Sequence, residues 1–205
     1  MFRISREFLR HPTQTGAIAS SSKALAERIT SGIGLERART VVEYGVGTGV
    51  FTRAILRKMA PGASYLGFEI NPRLAERFRG EFPEAALSTE SVAEAPRVLA
   101  AEGLPPADCI VSGLPWAAFP EDTQREILAA TLAILAPDGR FATFAYLQGL
   151  LLPAGKRFAR LLRAHFAEVD RSRVVWRNLP PAFVYRCRQA VADSPRSQSR
   201  GDECP

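Results

Sequence analysis

The sequence predicts an α/β domain in which a doubly wound sheet carries helices on both faces. Three observations lead there. From Thr40 onward, short apolar strand-like runs alternate with amphipathic helical runs. A glycine-rich turn, Gly45–Gly49, joins the first of these strands to the first of these helices. The 205 residues, 46% hydrophobic and 23% charged, suffice for one domain with a buried core and are short for two.

The elements follow in order. Residues 2–10, Phe-Arg-Ile-Ser-Arg-Glu-Phe-Leu-Arg, divide cleanly when wound at about 100° per residue. Phe2, Ile4, Phe8 and Leu9 fall on one side, and Arg3, Arg6, Glu7 and Arg10 on the other; Pro12 ends the helix. A second helix is predicted over 22–30, capped by Ser20 or Ser21 and closed by Gly32 and Gly34. Strands are expected at Thr40–Tyr44, Ser64–Ile70, Ala85–Thr89, Asp108–Ser112 and Arg140–Tyr146. Between them lie helical runs Val50–Met59, Pro72–Glu81, Ala93–Ala101 and Glu121–Leu135, with Pro72 suited to a first helical turn. A helix over Pro153–Phe166 precedes a terminal antiparallel pair, Val169–Trp176 and Ala182–Arg188, joined through Asn178-Leu-Pro-Pro181. From Ala190 the chain is polar and expected to be disordered.

Composition removes several classes of function. No apolar run approaches the ~20 residues of a membrane-spanning helix, and no secretory leader is evident. Three scattered cysteines, Cys109, Cys187 and Cys204, have neither disulfide-framework nor zinc spacing, which fits a reducing cytoplasm. No metal site is expected. The formal charge of +6 is concentrated: residues 153–188 hold nine bases against Glu168 and Asp170. Such a field attracts anionic partners, whether nucleic-acid backbones, lipid surfaces or acidic substrates.

The segment Val41-Val-Glu43-Tyr-Gly45-Val-Gly47-Thr-Gly49 follows a strand and opens a helix, so the main chain turns sharply and a ligand can approach it closely. Two acids accompany it, Glu43 before the first glycine and Glu69 after the next strand, where a carboxylate can accept from both hydroxyls of a ribose. The dinucleotide fingerprint wants glycine where Val50 stands and an apolar residue in place of Glu43. A sulfonium cofactor, with an amino group and no pyrophosphate, suits the carboxylate instead. Over residues 40–146 the chain resembles the class I S-adenosylmethionine-dependent methyltransferases. The resemblance implies a Rossmann-like, seven-stranded sheet with an antiparallel last strand, and S-adenosylmethionine as cofactor. It implies that Gly45, Gly47 and Gly49 line the methionine part, that Glu43 contacts the amino end, and that Glu69 holds the ribose. Ser91 and Val92 stand at the adenine position, where many members have Asp or Asn, and Ser112 ends the fourth strand beside the cofactor.

That strand continues as Ser112-Gly-Leu114-Pro115-Trp116. Enzymes that methylate base amino groups carry Asn or Asp where Gly113 stands, so a nucleic-acid substrate is disfavoured. Together with Phe8-Leu-Arg10-His-Pro12-x-x-Thr15-Gly16-Ala-Ile-Ala19-Ser-Ser21, these motifs resemble bacterial phospholipid N-methyltransferases. The resemblance implies methylation of the amine of phosphatidylethanolamine, towards phosphatidylcholine, or of an ornithine lipid. A methyltransferase for rRNA, tRNA or a soluble amine is the alternative. Phe2, Ile4, Phe8 and Leu9 would enter an anionic headgroup layer that Arg3, Arg6 and Arg10 meet, at about 1 kcal/mol per base. Residues 1–34 thus read as a helical membrane and lid segment, 35–189 as the cofactor-binding domain and 190–205 as the tail. The enzyme is expected in the cytoplasm, peripherally bound to the inner face of the membrane.

In-line methyl transfer to an amine needs positioning, desolvation and loss of the ammonium proton rather than a nucleophilic side chain. His11 and His165 have no partners in sequence. Tyr146, closing the fifth strand, is the expected catalytic and substrate-side residue, through its hydroxyl or through cation–π attraction to a methylated ammonium. Leu114, Pro115 and Trp116 are expected to line the substrate.

Overall fold

A computed structural model describes residues 21–190. The membrane residues expected at Phe2, Arg3, Arg6, Phe8, Leu9 and Arg10 lie outside them, as do His11 and the tail beyond 190. The described chain runs α1 (Lys23–Thr30), β1 (Thr40–Tyr44), α2 (Val50–Lys58), β2 (Ser64–Phe68), α3 (Pro72–Glu81), β3 (Ala86–Ser88), α4 (Ala95–Ala101), β4 (Ala107–Ser112), α5 (Glu121–Ile134), β5 (Leu135–Tyr146), α6 (Pro153–His165), β6 (Phe166–Arg171) and β7 (Ala182–Ala190). The seven strands form one sheet in the order β3-β2-β1-β4-β5-β7-β6. β1 pairs in parallel with β2 and β4, as do β2 with β3 and β4 with β5, while β7 runs antiparallel to β5 and β6.

Strand alternation sorts the core into two layers. Val41, Cys109, Val111, Ala142, Phe144 and Val184 pack with Leu25 and Ile29 of α1, Phe51 and Ile55 of α2, and Phe78 of α3. Their neighbours Val42, Ile110, Phe141, Phe183 and Tyr185 pack with Val98 of α4, Ile127 of α5, and Phe158 and Leu162 of α6. The strand order reverses between β1 and β4, where chains leave in opposite directions and the carboxyl ends of the strands open a crevice.

Several boundaries differ from the sequence expectation. α1 is capped by Ser22, whose hydroxyl accepts from the Leu25 amide, rather than by Ser20 or Ser21. Leu25, Ala26, Ile29 and Ile33 are buried and join the core layer of α2 and α3. A 3-10 turn, Val92–Glu94, precedes α4 and takes its first predicted residues. β6 begins at Phe166, earlier than Val169, because the register opposite β7 runs from Phe166 to Arg171. Beyond it, Val175 is buried and joins the ladder only as an isolated bridge to Ala182.

Candidate active site

The glycine turn sits at the strand-order reversal. Gly45 donates its amide to the Phe68 carbonyl of β2 at 2.8 Å, and Gly113, just past β4, donates to the Tyr44 carbonyl at 2.7 Å. Gly45, Gly47 and Gly49 have φ of 70°, 53° and 74°, a region costly for residues with a Cβ. Their surroundings separate their roles. A Cβ on Gly49 would lie 2.4 Å from the Phe82 ring, so this glycine seats the start of α2 against Phe82. A Cβ on Gly47 would meet nothing closer than 3.9 Å, so this glycine borders open space.

Glu69 closes the same loop. It is 8% exposed; Oε2 accepts from the Gly47 amide at 3.0 Å and Oε1 from the Asn71 amide at 2.9 Å. Burial holds its carboxyl above the ordinary range, against the opposing pull of amides from Asn71, Gly47 and Ile70. Asn71 caps α3, so the acid is fixed between two helix starts.

Glu43 lies beneath the loop with no solvent exposure. Oε2 accepts from the Thr52 hydroxyl at 2.8 Å and the Tyr65 hydroxyl at 2.6 Å, whereas Oε1 is buried without a hydrogen-bond partner. Burial pushes this carboxyl up to about 8; the two hydroxyls pull it down and the nearby Glu69 charge pushes it further up. Thr52 and Tyr65 are site residues that the sequence reading missed. The available signal was Gly67, a glycine inside a strand: it stands opposite Glu43, and a Cβ there would lie 3.0 Å from the Tyr65 hydroxyl.

The other expected residues divide. Ser91 caps the turn beyond β3, its hydroxyl accepting from the Ala93 amide at 3.3 Å, and the Val92 side chain is buried in the core. Ser112 is fully buried, accepting from the Trp116 indole at 3.0 Å. Leu114 packs over the glycine turn, within 3.0 Å of where a Gly45 Cβ would stand. Pro115 caps the short turn Trp116–Ala118. Trp116, expected to line the substrate, is 1% exposed, stacked on Phe158 at 4.6 Å and edge-on to Phe119 and Phe141. Tyr146 is half-buried at the end of β5, edge-on to Phe144, and burial raises its phenol above the usual value. Gly113 has a steric reason: a Cβ would fall 2.8 Å from the Gly45 carbonyl oxygen. Among the described residues no cluster of His, Cys, Asp and Glu could hold a metal ion.

Solved structures share this architecture. An O-methyltransferase from Bacillus cereus, crystallised with SAH, superposes with a TM-score of 0.64 at 13% identity, over 90% of this chain and 87% of its own. The N-methyltransferase NodS from Bradyrhizobium japonicum, also with S-adenosylhomocysteine, gives 0.60 at 15% identity over 91% and 97%. The fold is that of the class I S-adenosylmethionine-dependent methyltransferases. No family model matches the chain. The ornithine lipid N-methyltransferase of Singulisphaera acidiphila is 33% identical over 187 residues, covering 89% of this chain and 92% of that protein. The chain therefore belongs to the ornithine lipid N-methyltransferase family, with S-adenosylmethionine as its cofactor. The residues present fit that cofactor: a buried, unpartnered carboxylate oxygen on Glu43, an acid at the loop on Glu69, and open space at Gly47.

Proposed function

We propose that the chain methylates the primary amine of a membrane lipid, an ornithine lipid or phosphatidylethanolamine, from the inner face of a bilayer to which it is peripherally bound. The observation that carries this reading is the relationship to an ornithine lipid N-methyltransferase over nearly the full length of both chains. Gly113 supports it: where base-amine methylases carry an accepting side chain, this turn has no room for one.

S-adenosylmethionine supplies a methyl group on a positively charged sulfur. The chain's own residues do the rest. Glu43 offers Oε1 to the amino end and Glu69 holds the ribose, with Gly45 and Gly47 lining the methionine part. Ser91 and Val92 border the adenine, and Ser112 keeps the β4 end in register with the glycine turn. Leu114 and Pro115 form the apolar side of the substrate cleft and exclude water. Tyr146, a phenol that stays protonated because burial raises it, orients the amine or the adjoining phosphate or carboxylate through its hydroxyl.

The test is transfer of radiolabelled methyl from S-adenosylmethionine to defined lipids in micelles, ornithine lipid beside phosphatidylethanolamine. Label in one of them is the expected result; label confined to RNA or to soluble amines overturns the reading. In the same assay Tyr146→Phe should cut turnover about tenfold or more with cofactor affinity intact. Unchanged turnover removes Tyr146 from the reaction.

A further inference from the structure

Five large hydrophobic side chains are exposed among the described residues, and four lie on two loops. Leu151 (78% exposed) and Leu152 (50%) stand between β5 and α6; Trp176 (71%) and Leu179 (81%) stand between β6 and β7. Exposed apolar residues scattered singly are ordinary, but a group in one place asks for a partner. Here the loops are neighbours: Leu147 donates its amide to the Pro181 carbonyl at 2.8 Å, and Tyr146 is paired with Ala182.

Charge states the partner's chemistry. Residues 147–167 and 172–181 contain no acid, and Lys156, Arg160, Arg173 and Arg177 on them are exposed. Exposed apolar side chains on segments whose charges are all basic match the interface of an anionic bilayer. The turn is also firmly built. Asn178, 3% exposed, donates its amide to the Val175 carbonyl and Nδ2 to the Pro180 carbonyl, while Oδ1 accepts from the Ser22 amide at 2.9 Å. Trp176 and Leu179 flank this anchor on the outside. The Ser22 contact also ties the start of the described chain to the same loop. Both loops lie at the carboxyl end of β5, the end that carries the glycine turn.

We infer that the β5–α6 and β6–β7 loops are a second bilayer-docking surface, with Trp176, Leu179, Leu151 and Leu152 entering an anionic interface at the mouth of the site. This rests on the lipid-amine reading above and adds which surface meets the membrane.

The chain has two tryptophans, and Trp116 is buried, so a vesicle-dependent fluorescence signal belongs to Trp176. The full chain is mixed with vesicles of about one part phosphatidylglycerol to two parts phosphatidylcholine, enough anionic lipid to attract a basic surface. Brominated acyl chains should quench the emission; Trp116→Phe should keep the response and Trp176→Phe should lose it while still binding. Trp176→Ser combined with Leu179→Ser should weaken partitioning about tenfold or more, yet leave methyl transfer to micellar lipid unchanged. Vesicle binding without quenching of Trp176 overturns the inference, as does absence of binding. It is also overturned if Trp176 is shielded in solution and becomes quenchable only after removal of residues 1–20, because the chain's own N-terminal segment is then the occupant. Failure of the lipid-amine reading is separate: no label enters any lipid in micelles, whatever Trp176 reports.

Discussion

Glu43 has no solvent contact, is held by Thr52 and Tyr65, and is raised from 4.5 to about 8. Between those two values the folded protein keeps a proton that the unfolded chain has released. The contribution of Glu43 to the stability of the cofactor-free protein should therefore be fully present below about pH 4.5, fall as pH rises toward 8, and level off above. Denaturant unfolding across that range checks it, and Glu43→Gln should flatten the slope. A cationic amino group beside Oε1 favours the carboxylate, so cofactor binding near pH 7 should release a proton. Calorimetry in two buffers of different ionisation enthalpy detects the release, which Glu43→Gln should abolish. Glu69 acts differently, because both its oxygens already accept main-chain amides. Glu69→Ala removes the proposed ribose acceptor and unties Gly47 together, and should lower cofactor affinity roughly 100-fold. Retained affinity in the same titration would remove Glu69 from the ribose.

At the scale of elements, the turn after β4 is the most constrained piece. Gly113 bonds to the Tyr44 carbonyl, and the space beyond it is filled by the Gly45 carbonyl. Gly113→Asn should therefore push the two turns apart, costing about 1–3 kcal/mol of stability and weakening the cofactor, without creating base methylation. Thermal unfolding with and without cofactor measures both effects. The glycine turn is readable from the sequence because its positive-φ geometry dictates glycine at fixed spacing, and the two acids follow from their positions before the turn and after the next strand. Thr52 and Tyr65 are not readable, since each reads as an ordinary core residue until the β1–β2 register sets Gly67 opposite Glu43. Trp116 read as part of the cleft because it follows Leu114-Pro115. Its place in the core is decided by Phe158 of α6, a contact that no local pattern encodes. The end of β6 differs for a related reason: Val174 and Val175 look strand-like, but the continuous ladder with β7 stops at Arg171 and only an isolated bridge follows at Val175.

Across the molecule, charge and shape agree. The basic bias of residues 153–188 is displayed on the exposed side of α6, at Lys156, Arg160 and Arg163, while Phe158 and Leu162 fill the opposite side beneath it. No helix among the described residues is long and apolar enough to cross a membrane. The alternation of strands and helices was sufficient to predict the doubly wound sheet, since the helical faces leave no other way to cover both sides. The antiparallel course of β7 has a practical corollary. It begins at Ala182, beside the end of β5 at Tyr146, and finishes with Ala190 opposite Phe166, at the other end of the sheet. Ser22, tied to Asn178, leaves the fold on the first of these sides. A bulky fusion partner at the amino terminus should obstruct work on vesicles and spare work on micelles, whereas the same partner after the last residue should affect neither. Turnover of the two fusions on both lipid forms checks this. For anyone immobilising the enzyme, the Ala190 end of β7 is the side of the sheet turned away from the glycine turn.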